Sequence, residues 1–450
     1  MKKKLPVLLC SLCILIGVSI AYCIYSASSQ TPVAIMDEQG SILFDENNNN
    51  IEETLSDEIA VEHWDSIVPT PQTSESEPVF EEYDIKLMAV GDNLMHMGLV
   101  NSGKQPDGTY NFDFLFSDIA DYLAASDLKI INQETPLAGN QLGFSGYPQF
   151  NSPTEVGDAI ANAGFNVVLG ATNHSADQGI SGIDNIVSFW NTHPEVTLAG
   201  LHAPADDASS ENPRIHLVSV NDVTFAILNY TYGPNYGSAS KDLAARMDIL
   251  CAYQEGSTAL DFTTINPTVL SDIAEADTLA DIVIVCPHWG TEYSLTPSTY
   301  QTTFAKQMTE AGADVIIGTH PHVPQPIEII TSDNGNTSLC YYSLGNYVST
   351  QQNGASMLEE MAWIVFHVTE DDVRVDFDRS GALPLVCHYL SGPLRFGAIY
   401  ALEDYTEELA QKHGIIRWGQ ISFHLSDLQN WDAQILGDRS LKKEDILSYY

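Results

Sequence analysis

Seven residues able to bind a metal recur along this chain, each just past a short apolar, β-branched run. In order they are Asp92, Glu134, Asn173 with its neighbour His174, His288, and His320 with His322. Carboxylates, an amide oxygen and imidazoles together suit two divalent ions of the Mn²⁺, Fe²⁺ or Zn²⁺ kind better than calcium, which prefers oxygen alone. Taken singly, each has a plainer reading as a surface carboxylate, a turn asparagine or a hydrogen-bonded core histidine. Their recurrence at equivalent positions changes that, because ligands collect at the carboxyl ends of strands in open α/β sheets.

The runs that must position them read as buried strands. They are 85–90 before Gly91-Asp92-Asn93, 128–131 before Asn132-Gln133-Glu134, 166–169 before Asn173, 282–287 before His288, and 315–317 before His320. Helices are predicted over 112–125, over 153–163 with Ser152 as N-cap and Pro153 at the first helical position, and over 180–192, 267–280 and 297–311. Residues 215–220 and 223–230, separated by Asn221-Asp222, predict a tight hairpin. Further strands are expected at 196–198, 341–348, 363–368 and 373–377. This order of βα units, hairpin, more βα units and antiparallel strands predicts a mixed two-sheet α/β core with helices outside. The last 70 residues are less patterned.

Sixty acids against 18 bases give a net charge of −42, and the only dense basic cluster is Lys2-Lys3-Lys4. Nucleic acid is therefore excluded as a partner, since phosphate recognition needs clustered Lys and Arg. After those lysines, residues 5–25 carry no charge, a length that suits a membrane-spanning helix with the lysines cytoplasmic. That length favours an uncleaved anchor over residues 1–27 rather than cleavage near Ser26. Residues 28–84 contain no Lys or Arg and include the low-complexity stretch PTPQTSESEP, which predicts a disordered acidic linker. Cys286 and Cys340 lie inside apolar runs, and no cysteine spacing suggests a disulfide framework.

The series GDNLMH (91–96), NQETPLAG (132–139), ATNHSADQG (171–179), PHWGTEY (287–293), GTHPHVPQ (318–325) and YSLGNY (342–347) resembles the CapA family of capsule or poly-γ-glutamate biosynthesis proteins. That family belongs to the calcineurin-like metallophosphoesterase superfamily. The resemblance implies a four-layer α/β/β/α sandwich over 85–349, with 350–450 adding strands that complete it and an appendage. It implies Asp92, Glu134 and His322 around one metal, and Glu134, Asn173, His288 and His320 around a second. His174 stands at the position of a protonating histidine. Apart from the resemblance, Asp177 reads as a group orienting a ligand from behind or as a helix cap, rather than as a ligand itself. Two positions depart from the superfamily pattern. Leu94 replaces the usual histidine, which turns attention to His96 or Asn93 as an additional ligand, and Glu134 replaces the usual aspartate.

The function implied is that of a single-pass membrane protein with an extracytoplasmic body. Its partner would be an anionic cell-surface polymer or the polymer's membrane synthase complex. If it is an enzyme, hydrolysis would use a metal-activated water. Two alternatives stand beside it: a non-catalytic accessory subunit of the synthase, and a secreted metal-dependent phosphodiesterase or nucleotidase.

Overall fold

The computed structural model describes residues 80–203 and 212–448. The predicted anchor and nearly all of the acidic linker lie outside the described residues. Among those residues, no helix is long and apolar enough to cross a membrane. The chain from Pro78 onward forms one compact unit.

Four parallel strands open the fold: β1 (Tyr83–Asp92), β2 (Leu128–Asn132), β3 (Val167–Leu169) and β4 (Thr197–Ala199). A hairpin follows, β5 (His216–Val220) and β6 (Val223–Thr231), then the short ribbon β7 (Cys251–Tyr253) and β8 (Leu260–Ile265). The next strands are β9 (Ile282–His288), β10 (Val315–Ile317), β11 (Pro324–Thr331) and β12 (Thr337–Leu344). The last three, β13 (Leu358–Val368), β14 (Val373–Leu390) and β15 (Arg395–Ala401), run antiparallel. They assemble into a seven-stranded sheet, β15-β14-β13-β1-β2-β3-β4, and a six-stranded sheet, β11-β12-β10-β9-β6-β5.

Period-two alternation of side chains decides how the sheets meet. Ile85, Leu87, Ala89, Ile130 and Val167 of the first sheet pack with Phe225, Ile227, Ile284, Ile317 and Tyr341 of the second in one dry cluster. Each such aliphatic side chain contributes about 1.5–3 kcal/mol on burial. The alternate residues face outward. Met88, Ile131 and Val168 belong with Val156 and Ile160 of the helix Glu155–Asn162 and Ile183 of the helix Gly179–Trp190. On the other sheet, Val283, Val285 and Ile316 belong with Ile273 of Pro267–Leu279 and with Phe304 and Met308 of Thr299–Ala311. Helix, sheet, sheet and helix form four layers.

Several expectations need correction. Residues 112–119 form two 3-10 turns, and the α-helix occupies only Ala120–Ala125. Phe112, Leu115, Phe116 and Ile119 are all buried, so packing sets this segment's conformation more than helical periodicity does. The next helix begins at Glu155, not Pro153, because Ser152 turns inward and its hydroxyl donates to Thr135 Oγ1 at 3.0 Å. The strand predicted at 341–348 ends at Leu344, and that at 373–377 continues for 18 residues. The hairpin stands as predicted, with Asn221 and Asp222 at φ 46° and 66°. Cys251, Cys286, Cys340 and Cys387 are free and buried.

Candidate metal centre

The carboxyl ends of β1, β2, β3, β9 and β10 converge on one edge of the sandwich. β1 arrives closely packed: a Cβ on Gly91 would stand 2.0 Å from the carbonyl oxygen of Gly345, so a larger residue would push Asp92 away. Two groups of buried ligand-type atoms result, each within 4.8 Å: Asp92, Glu134 and His322, and Glu134, His288 and His320. Glu134 is common to both.

Each side chain is held by named neighbours. Asn132 Nδ2 donates to Asp92 Oδ1 at 2.8 Å. His322 Nδ1 lies 3.0 Å from both Asp92 Oδ2 and Asn346 Oδ1, and 3.6 Å from Glu134 Oε2. His288 Nε2 is 2.9 Å from Asn173 Oδ1, and its Nδ1 is 2.9 Å from Thr319 Oγ1. Asn173 Nδ2 donates to Asn235 Oδ1 at 2.9 Å, which leaves its carbonyl oxygen turned to the cluster. His320 and His322 hold φ of 99° and 59°, left-handed values that are costly for residues other than glycine. Strain of this kind persists where the surrounding structure enforces an arrangement.

Whether these residues fit a metal is decided by what they lack. Both oxygens of Glu134 and Nδ1 of His320 are buried with no hydrogen-bond partner. A buried carboxylate without a partner carries a large desolvation cost that a cation or a proton must offset. Burial pushes Glu134 well above the usual carboxyl range, with His322 opposing and Asp92 adding to the push. At His322, burial acts downward, but Glu134 and Asp92 outweigh it and lift the ring to about 9. Both directions describe a cluster short of positive charge. His288 and His320 go the other way, held well below the usual range by burial and by neighbouring imidazoles, and so stand as neutral ligands. The residues fit divalent cations.

The remaining predicted residues occupy distinct places. His174 Nδ1 is 2.8 Å from Asp177 Oδ2, and Asp177 also accepts the Phe150 N–H at 2.7 Å. His96 stands outside both groups: it packs edge-on to Phe150, and its Nδ1 accepts the Thr350 N–H at 3.4 Å. Asn93 donates to Gln133 Oε1 at 2.7 Å, while its Oδ1 is buried without a partner. Leu94 is buried at the floor of an adjoining cavity. Asn132, Asn235, Thr319 and Asn346 were missed from sequence. Asn346 carried one usable signal, an amide two residues past an apolar strand and directly after a glycine.

The family model described as bacterial capsule synthesis protein PGA_cap matches residues 86–351. The PGA biosynthesis protein CapA of Bacillus subtilis is 30% identical over 262 residues, covering 58% of this chain and 62% of that protein. The capsule biosynthesis protein CapA of Bacillus anthracis is 29% identical over 305 residues, 66% of each. The chain thus spans just under two thirds of the length of both relatives. A solved structure described as a novel phosphatase of Mycoplasma pneumoniae aligns at 16% identity and a TM-score of 0.41, covering 68% of this chain and 95% of that one, a score too low to bear on the assignment. With more than half its length under the family model, the chain belongs to the bacterial capsule synthesis protein PGA_cap family.

Proposed function

We propose that the protein is a membrane-anchored, extracytoplasmic CapA-like hydrolase of metallophosphoesterase type that processes a cell-surface polymer in capsule or poly-γ-glutamate biosynthesis. The observation that carries this reading is the pair of buried ligand groups joined through Glu134. Asp92, Glu134 and His322 would hold one divalent ion, and Glu134, His288, His320 and Asn173 the other. Bound there, such ions supply Lewis acidity and lower the pKa of water from 15.7 toward about 7. The chain's own groups do the rest. Thr319 and Asn132 orient His288 and Asp92, and Asp177 at Nδ1 of His174 fixes that ring so that Nε2 can carry a proton to a leaving oxygen. The extracytoplasmic placement rests on the uncharged run 5–25 behind three lysines.

A second reading, a non-catalytic partner of a membrane synthase, draws on Leu94, which leaves the Asp92 group one imidazole poorer than the superfamily pattern. Metal content decides between them. The purified chain should retain transition metal, and His288→Ala and His320→Ala should lose it together with polymer production. A chain that binds no metal, or variants that leave the polymer intact, would sink the hydrolase.

A further inference from the structure

Leu94 offers no donor to the Asp92 group, and His96 lies outside both ligand groups. Any further ligand must come from another side chain. Two fully buried amides just past strand ends compete for the place, Asn93 after β1 and Asn346 after β12. Asn93 donates to Gln133 Oε1 at 2.7 Å, and its Oδ1 has no hydrogen-bond partner. Asn346 Oδ1 stands 3.0 Å from His322 Nδ1. That same nitrogen lies 3.0 Å from Asp92 Oδ2 and 3.6 Å from Glu134 Oε2.

A ring nitrogen carries at most one proton, so one hydrogen bond serves only one of the three oxygens around Nδ1. A cation can bond the nitrogen and the oxygens together. Two atoms each about 2.1 Å from one ion, and about a right angle apart, are separated by about 3.0 Å. Both the Asn346 oxygen and the Asp92 oxygen stand at 3.0 Å from His322 Nδ1.

Which end of the Asn346 amide meets the cluster is set by its other end. Nδ2 donates to Gln351 Oε1 at 2.9 Å and to the carbonyls of His322 at 3.3 Å and Ser356 at 3.4 Å. Turning the amide over would set its oxygen against three acceptors. Gln351 is itself anchored. Its Nε2 donates to the Tyr293 hydroxyl at 3.3 Å, and its carbonyl accepts the Tyr389 hydroxyl at 2.9 Å. Trp418 Nε1 donates to the preceding carbonyl, that of Thr350, at 3.1 Å. Tyr389 and Trp418 lie beyond residue 351, where the family match ends. The C-terminal segment thus holds the residue that aims Asn346.

We propose that Asn346 Oδ1 is a direct ligand of the ion held by Asp92, Glu134 and His322, and that Gln351 is the positioning residue that fixes its orientation. The inference rests on the metal-binding part of the proposed function and adds a fourth residue to that group. Two carboxylates, an amide and one imidazole form the harder of the two donor sets, which makes Mn²⁺ the suitable probe.

Competition titration of the full chain with Mn²⁺ against a chelating indicator counts and ranks the sites. The native chain should bind two equivalents. Asn346→Ala should weaken one of them by more than about a hundredfold, the upper range for a contact behind the ligands, and leave the other within about threefold. Gln351→Leu acts one bond further out and should weaken the same equivalent by about tenfold. Asn346→Asp restores an oxygen and should bind that equivalent at least as tightly as the native chain. Asn93→Ala should alter neither. Native binding of both equivalents by Asn346→Ala, or a loss no greater than that of Gln351→Leu, would overturn the proposal; the latter would make Asn346 a partner orienting His322. Thermal unfolding in EDTA reports whether each variant folds. Should Asn346→Ala not fold, native affinity of Gln351→Leu at both equivalents overturns the proposal instead. A native chain that takes up no Mn²⁺ sinks the hydrolase reading and this ligand with it, whereas two native equivalents untouched by Asn346→Ala sink the ligand alone.

Discussion

Two pairs of buried histidines stand at nearly the same spacing in this protein. The His288 and His320 rings are 4.9 Å apart at the strand ends, and the His388 and His413 rings are 4.7 Å apart in a satellite core near the C-terminus. Burial lowers all four, His388 to about 4 and His413 to about 3. Spacing and burial therefore do not separate a metal centre from a packed core. Partners do. His388 Nδ1 meets the Tyr405 hydroxyl at 2.6 Å, and His413 donates from Nε2 to the Cys387 carbonyl while accepting the Ile415 N–H at Nδ1. In the other pair, His320 Nδ1 has no hydrogen-bond partner, and neither has the neighbouring Glu134 carboxylate, whose nearest cationic group is His322 at 3.6 Å. Backbone strain divides them too: His320 sits at φ 99°, whereas His413 sits at an ordinary −60°. Between these two histidine pairs, unsatisfied ring atoms and backbone strain set the candidate metal cluster apart; histidine proximity alone does not.

The strongest way to break this comparison is to disturb each cluster in turn. Glu134→Gln keeps shape but removes the charge common to both ligand groups, so metal should be lost from both. If the hydrolase proposal holds, polymer hydrolysis should fall by at least about a hundredfold, equivalent to about 2.7 kcal/mol. His413→Gln should keep every metal equivalent and instead cost about 1–3 kcal/mol of stability, the penalty for unsatisfied buried groups. Metal analysis and thermal unfolding on the two variants read both effects. Metal loss from His413→Gln would show that the pairs are not independent.

A smaller effect separates the clusters by pH in the metal-free protein. His388 and His413 have folded pKa values below the unfolded value of about 6.5, so unfolding takes up protons on the acid side. Their contribution is intact above about 6.5 and is lost as pH falls toward about 4 and 3. His322 has the opposite sign: raised to about 9, its contribution is complete below about 6.5 and is lost as pH rises through 9. Denaturant unfolding in EDTA should show His413→Gln flattening the acid limb by up to about 1.4 kcal/mol per pH unit, one proton's worth. His322→Gln should flatten only the alkaline limb. An acid limb unchanged by His413→Gln would remove this half of the contrast.

The parts of the site legible in the sequence were those announced by a local pattern. Asp92, Glu134, Asn173, His288 and His320 each follow an apolar run, and a strand's period carries its last residue to a sheet edge whatever the strand's neighbours are. Thr319 was illegible, and Asn346 showed a local signal but not its role, because both roles depend on strand order. β12 lies beside β10 in the sheet, which brings the residues after Leu344 to His322, and no local pattern specifies that order. The segment 112–119 failed for the converse reason: its apolar spacing is helical, but burial of four large side chains determined the turn type. The satellite core around His388 and His413 was unread because short helices of five or six residues carry too few turns to show a period.

The finest discrimination lies one bond behind each pair. Thr319 Oγ1 stands 2.9 Å from His288 Nδ1, and the Tyr405 hydroxyl holds the same relation to His388. Thr319→Val preserves the branched shape but leaves Nδ1 of a ligand histidine without its orienting partner. Metal affinity should fall about tenfold, the lower range for an outer-shell contact, with the unfolding transition nearly unmoved. Tyr405→Phe removes the corresponding bond in the other cluster and should leave metal affinity untouched while lowering stability by about 1 kcal/mol. Competition titrations with a chelating indicator measure the first, and calorimetry the second. A Thr319→Val protein that binds metal as the native chain does would mean that the backbone alone, through the strained turn at His320, positions the ligands.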